Sequence, residues 1–100
     1  MRVWQVQQYG GDPVIVQVPP PIPAEGEIVV RVAAAGLNFA DMLAIQGKYQ
    51  IRHDPPYIPG MEFAGIVAAL GPGVVGPQPG SRVRGTTSAG ALGELLSVPS

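Results

Sequence analysis

No apolar run in this chain goes far uninterrupted, because 14 glycines and 12 prolines are spread through its 100 residues. Proline fixes φ and has no N–H to give to a helix interior or a central strand, while glycine supplies backbone conformations that other residues resist. Long helices have no room here. The pattern fits short strands joined by tight turns, and it predicts a mainly β fold. Glycine and proline at this level accompany disorder only where hydrophobicity is low and net charge high. Here 46% of residues are apolar and the formal net charge is −1, so the chain has the material for a core. One hundred residues suffice for one core and not for two, which predicts a single domain over residues 1–100.

Residues 3–8 alternate imperfectly, the Tyr-Gly-Gly-Asp-Pro of residues 9–13 breaks the run, and residues 14–18 resume it, which predicts a pair of strands. Residues 19–23, Pro-Pro-Pro-Ile-Pro, form an extended surface segment. Residues 28–35 are apolar almost throughout without clean alternation, as in a strand buried on both faces. From Asn38 onward the spacing of Phe39, Met42, Leu43 and Ile45 is helical. Asn38 suits the N-cap, Asp41 places a negative charge in the first turn, and Gly47 can end the helix. An irregular loop over 48–59 carries Arg52, His53 and Asp54, with His53 expected to be solvated. Strands follow over 61–70, 81–85 and 94–98, separated by a double turn at 71–80 and a small, polar stretch at 86–93. The last strand ends two residues before the last residue, which reads as an incomplete domain.

Several function classes are excluded by composition. The six basic residues are scattered along the chain and supply no stripe for a phosphate backbone, so nucleic acid is not an expected partner. No apolar stretch approaches the roughly 20 residues of a membrane span. Without cysteine there is no disulfide framework, which fits a reducing compartment, and the cytoplasm is the expected location. One histidine and no cysteine leave only a carboxylate-dominated set for zinc, so no metal site is expected. Charged residues are only 13% of the chain, against about 25% in average soluble proteins, which predicts apolar surface covered by a partner.

Two short motifs fail in context. Residues 71–76 spell G-x-G-x-x-G, but Pro72 lies inside the motif and Pro77 and Pro79 forbid the helix that a dinucleotide phosphate would need. Ser88, His53 and either Asp41 or Asp54 nominally supply a hydrolase triad, yet Thr86 spoils G-x-S-x-G and no strand-to-helix elbow surrounds the serine.

Longer segments carry more. Residues 35–41 (Ala-Gly-Leu-Asn-Phe-Ala-Asp), 46–49 (Gln-Gly-Lys-Tyr) and 57–67 (Tyr-Ile-Pro-Gly-Met-Glu-Phe-Ala-Gly-Ile-Val) resemble the medium-chain dehydrogenase/reductase superfamily. The resemblance is strongest to its zinc-free, zeta-crystallin-like NADPH:quinone oxidoreductases. Tyr9-Gly10-Gly11, the proline-rich segment, Pro79-Gly80-Ser81-Arg82-Val83 and Gly93-Glu94 fall in the same order, so the likeness covers essentially the whole chain.

The resemblance implies a GroES-like, partly open β-barrel with one short helix, truncated and inactive alone. The absent Rossmann domain would bring NADPH, and a small quinone or enone would react in the cleft between the two, in a protein that is a homo-oligomer when full length. The zinc branch has cysteine at the position of Asn38 and histidine at that of Met61. With an amide and a thioether there, carbonyl polarisation falls to hydrogen-bond donors, for which Asn38 and Tyr49 are the candidates. Phe39, Asp41 and Leu43 are the implied cofactor contacts, although many relatives have tyrosine where Leu43 stands. Asn38 and Tyr49 also have plain structural uses, as a helix cap and as a loop-packing ring. Other readings are a free-standing GroES-like module or co-chaperonin-like ring subunit, and an enoyl-thioester reductase or vesicle-associated relative within the same superfamily.

Overall fold

A computed structural model describes residues 1–100. Its elements are β1 (Arg2–Gln5), β2 (Val14–Gln17), β3 (Glu27–Gly36), α1 (Phe39–Ile45), β4 (Glu62–Leu70), β5 (Arg82–Thr86) and β6 (Leu95–Pro99). The strands make two antiparallel sheets, β1-β2 and β5-β4-β3-β6. The fold is thus mainly β with one short helix, as expected. Both sheets stay open and no barrel is closed.

The larger sheet is organised by β3, which pairs with β4 on one side and β6 on the other. Ile28, Val29 and Val30 are buried in succession, so the expectation of a strand covered on both faces holds for its first half. It fails beyond Val30, where Arg31, Ala33 and Ala34 are exposed. Pairing with β6 ends at Arg31, and past that point β3 loses that neighbour. On β4 burial alternates, with Phe63, Gly65 and Val67 inward and Glu62, Ala64 and Ile66 outward. Phe63 and Val67 join Ile28, Val30, Ala91, Leu96 and Val98 in one apolar core.

Gly65 marks where β4 lies hardest against β3. A Cβ there would run into the carbonyl oxygen of Arg31 and come within 2.8 Å of Val30 Cγ1. The turn after β4 uses a second glycine in the same way, since a Cβ on Gly71 would run into the Ala24 carbonyl oxygen and come within 2.7 Å of Glu27 O. The G-x-G-x-x-G segment therefore ends in turns, with Gly73 and Gly80 at positive φ and no helix after it.

The small sheet docks on the larger one through its backbone. Trp4 N–H donates to Leu92 O at 2.9 Å, Glu94 N–H donates to Arg2 O at 3.2 Å, and Arg2 pairs with the Glu94 carboxylate at 3.8 Å. Farther along, Val6 and Tyr57 exchange backbone hydrogen bonds at 2.8 and 3.1 Å, which ties the N-terminal segment to the loop before β4.

Replacing Gly65 by alanine is expected to cost about 1–3 kcal/mol in urea unfolding, because a backbone carbonyl cannot move aside as a side chain can. Val75→Ala, at a position 88% exposed, stays within about 0.5 kcal/mol of wild type. Equal stability of the two variants would refute the close approach.

Candidate functional site

β3 and β4 end their pairing at Gly36 opposite Glu62. From there the chain passes through Leu37 and Asn38 into α1. Asn38 is the N-cap, extended at φ −123° and ψ 170°. Its backbone oxygen accepts from Asp41 N–H at 3.0 Å, and its own N–H donates to Asp41 Oδ2 at 2.8 Å. The two residues form a capping box, with the Asn38 side chain set toward the Asp41 N–H and the Asp41 carboxylate on the Asn38 N–H. At the other end Gln46 is the C-cap and Gly47 adopts φ +74°. The Tyr9 ring lies so close that a Cβ on Gly47 would sit 2.9 Å from it, and Gly10 N–H donates to Ile45 O at 3.0 Å. The helix exit is thus fixed from outside the helix, and its entry by the bond between Asn38 and Asp41.

A cavity of about 460 Å³ opens beside the start of α1. Asn38 and Tyr49, the two expected hydrogen-bond donors, both line it, as do Met61, Glu62, Thr86 and Ser88. The Thr87 hydroxyl donates to Ala89 O at 3.0 Å and is already engaged. Glu62 is the one charged side chain in the wall. No group of three or more His, Cys, Asp or Glu side chains is gathered anywhere, so the cavity's polar groups are amide, phenol, hydroxyl, thioether and one carboxylate.

The three residues expected at the cofactor do not line this cavity. Phe39 follows Asn38 directly and is 76% exposed, with Leu37 and Met42 also exposed. Leu43 is half-buried. Asp41 is 1% exposed and its carboxylate is turned onto the Asn38 N–H. Sequence reasoning missed Glu62, Thr86 and Ser88 as cavity residues. The signal for Glu62 was its place directly after Met61, but its partner Gly36 is far off in sequence and only the sheet register brings the two together.

A polar layer surrounds Asp41, whose Oδ1 is buried without a hydrogen-bond partner. Burial, and then the nearby Tyr9 and Asp41, push the Tyr57 phenol above its ordinary pKa. The His53 and Tyr57 rings are 5.5 Å apart, tilted by 32°. Tyr9 Oη donates to His53 O at 2.6 Å, and the Arg52 guanidinium lies 5.4 Å from the Tyr9 ring centre. His53, expected to be solvated, is instead half-buried with Nε2 shut off from solvent. The Tyr9 hydrogen bond and the Tyr57 ring hold it there. Ser88 lines the cavity and His53 does not, so the nominal triad is not assembled.

The scattered basic residues also need correcting. Register sets Ile66 opposite both Arg31 and Arg82, and Ala64 opposite Arg84, so three of the six share the outer face of the larger sheet. A smaller depression of about 280 Å³, walled by Trp4, Ile15, Val32 and Leu92, lies around the Arg2–Glu94 pair. Its charged groups already satisfy each other, and the Arg2 N–H holds Glu94 below the usual carboxylate range.

Residues 24–97 match the alcohol dehydrogenase GroES-like domain family. The chain belongs to that family. It is 44% identical over 81 residues to the human synaptic vesicle membrane protein VAT-1 homolog, covering 81% of this chain and 21% of that protein. To the bovine quinone oxidoreductase-like protein 2 it is 41% identical over 83 residues, 82% of this chain and 24% of that one. Among solved structures, the human VAT-1 homolog-like protein superposes with a TM-score of 0.94 at 36% identity, over 99% of this chain and 33% of that chain. The quinone oxidoreductase of Thermus thermophilus, solved alone and with NADPH, gives 0.85 at 40% identity, over 99% and 30%. The medium-chain dehydrogenase/reductase likeness read from the motifs is met by these relatives. The chain spans about a fifth to a third of their length.

Tyr57 is expected to titrate above the ordinary tyrosine range in spectrophotometric titration of the phenolate absorbance, with the late phase removed in Tyr57→Phe. The unfolded chain loses this proton first, at the ordinary value. Tyr57 therefore stabilises fully below that pH, and its contribution is lost as pH rises through the higher folded value. An unchanged titration in Tyr57→Phe would contradict this.

Proposed function

We propose that this chain is the N-terminal catalytic-domain portion of a zinc-independent, NADPH-dependent reductase of quinones or enones, inactive without its nicotinamide-binding half. The observation that carries the reading is the cavity beside α1, where an amide, Asn38, and a phenol, Tyr49, share one wall without thiolate or imidazole. The quinone oxidoreductase-like relatives, one of them solved with NADPH, support the same reading.

When bound, NADPH supplies the hydride. The chain's own task is to place and polarise the acceptor. Negative charge develops on the acceptor oxygen as the hydride arrives, and donors already aimed at that oxygen stabilise it without reorganising. The Asn38 NH₂ is the first donor and the Tyr49 hydroxyl the second. Phe39, exposed beside Asn38, and Leu43 one turn on fit a flat nicotinamide ring as apolar surface. Asp41, buried on the Asn38 N–H, fits as the residue that holds Asn38 in place. Leu37, Met42 and Ile51 add exposed apolar surface that a second domain would cover, excluding water from the reaction. We place the protein in the cytoplasm. No helix of the chain is long and apolar enough to cross a membrane.

The test is NADPH oxidation driven by 1,4-naphthoquinone in the full-length protein that contains this chain. Asn38→Ala is expected to lower kcat about 100-fold, the usual cost of one oxyanion donor. The 100 residues alone should show no turnover. Full kcat in Asn38→Ala, or turnover by the isolated chain, overturns the proposal.

A further inference from the structure

We infer that Glu62 makes this site select against anionic substrates, so that its acceptors are uncharged quinones or enones rather than carboxylated, sulfonated or phosphorylated ones. The inference rests on the reductase reading above and narrows its substrate class. Glu62 is the one charged side chain in the cavity wall, and no basic residue lines that cavity. Its carboxylate lies over Gly36, where an added Cβ would sit 2.9 Å from Glu62 Oε2. Gly36 in turn ends the strand that leads through Leu37 to Asn38, so the negative charge and the amide donor flank the same opening.

No basic group of this chain lies within 4 Å of the Glu62 carboxylate. The chain's one ion pair is Arg2–Glu94, on the small-sheet side. Arg84 is the nearest basic group along the sheet. It sits opposite Ala64, one step diagonally from Glu62, and shares a separate shallow groove with it without an ion pair. The carboxylate is therefore free to act on whatever enters. A like charge brought to within several ångströms in a partly solvated cleft is disfavoured about tenfold, and ionic strength weakens that repulsion. A neutral acceptor meets no such barrier.

The experiment compares kcat/KM for 1,4-naphthoquinone and 1,4-naphthoquinone-2-sulfonate in the full-length protein at saturating NADPH. Intrinsic reactivity cancels when the neutral-to-sulfonate ratio is compared between variants. Glu62→Gln should shift that ratio toward the sulfonate about tenfold and Glu62→Lys further. Glu25→Gln, an exposed carboxylate in the turn before β3, should leave it unchanged. In the wild type, raising salt should increase kcat/KM for the sulfonate and not for the neutral quinone. The salt comparison stands even if the Glu62 variants fail to fold. A ratio in Glu62→Gln within about twofold of wild type, or a sulfonate rate indifferent to salt, overturns the inference and leaves the reductase reading intact. A wild-type protein that reduces neither quinone overturns both.

Discussion

The close approach of β4 to β3 at Gly65, where the Arg31 carbonyl leaves no space for a side chain, sets the register from which the site follows. With that contact fixed, Phe63 and Val67 fall inward onto Ile28 and Val30 and the core closes. Two register shifts between β3 and β4, at Val29/Val30 and Val32/Ala34, leave one residue unpaired first on β4 and then on β3, and so cancel. Such irregularities bend and twist a strand locally, while the register set where Ile28 faces Leu70 is regained where Gly36 faces Glu62. A slip of one residue would turn every β4 side chain to the other face. Glu62 would then enter the core and Phe63 the cavity side. The packing that stabilises the domain is therefore the same packing that places Asn38, Met61 and Glu62 on one cavity.

The helix illustrates a different source of order. Seven residues are too few to be stable alone, and helices of this size normally depend on burying an apolar face. Here Phe39 and Met42 face outward instead. What holds α1 is polar and local at its start, through the Asp41 carboxylate, and tertiary at its end, through Tyr9 and Gly10. The low charge content noted in the sequence thus has a concrete location. Much of the uncovered apolar surface stands on and around α1, next to the one cavity where donor groups converge.

How much was legible follows from which interactions are local. The β1–β2 pair, the N-cap at Asn38, the helix end at Gly47 and the three later strands were readable, with strand ends off by about one residue except at β1, which stops at Gln5 and not Gln8, because turn chemistry and apolar runs are properties of neighbours in sequence. The direction of the apolar helix face was not, since spacing reports that a face exists and not what it meets. His53 looked like a loop residue among charges. Its burial depends on Tyr9, 44 positions away. Likewise Arg31 is far from Arg82 and Arg84 along the chain and joins them on one face only across β4. Asn38 and Tyr49 could be nominated from resemblance, but that they share a wall with Glu62 required the β3–β4 register.

Asp41 accounts for how Asn38 is held at the wall of the cavity. An asparagine at an N-cap ordinarily spends its side chain on the helix, accepting from an N–H that would otherwise lack a partner. In this chain the capping box is completed by the bond from Asn38 N–H to Asp41 Oδ2, which fixes the entry to the helix and makes no demand on the Asn38 NH₂. The anchoring Asp41 is 1% exposed, so the turn that presents Asn38 to the cavity is held by a carboxylate that solvent does not reach.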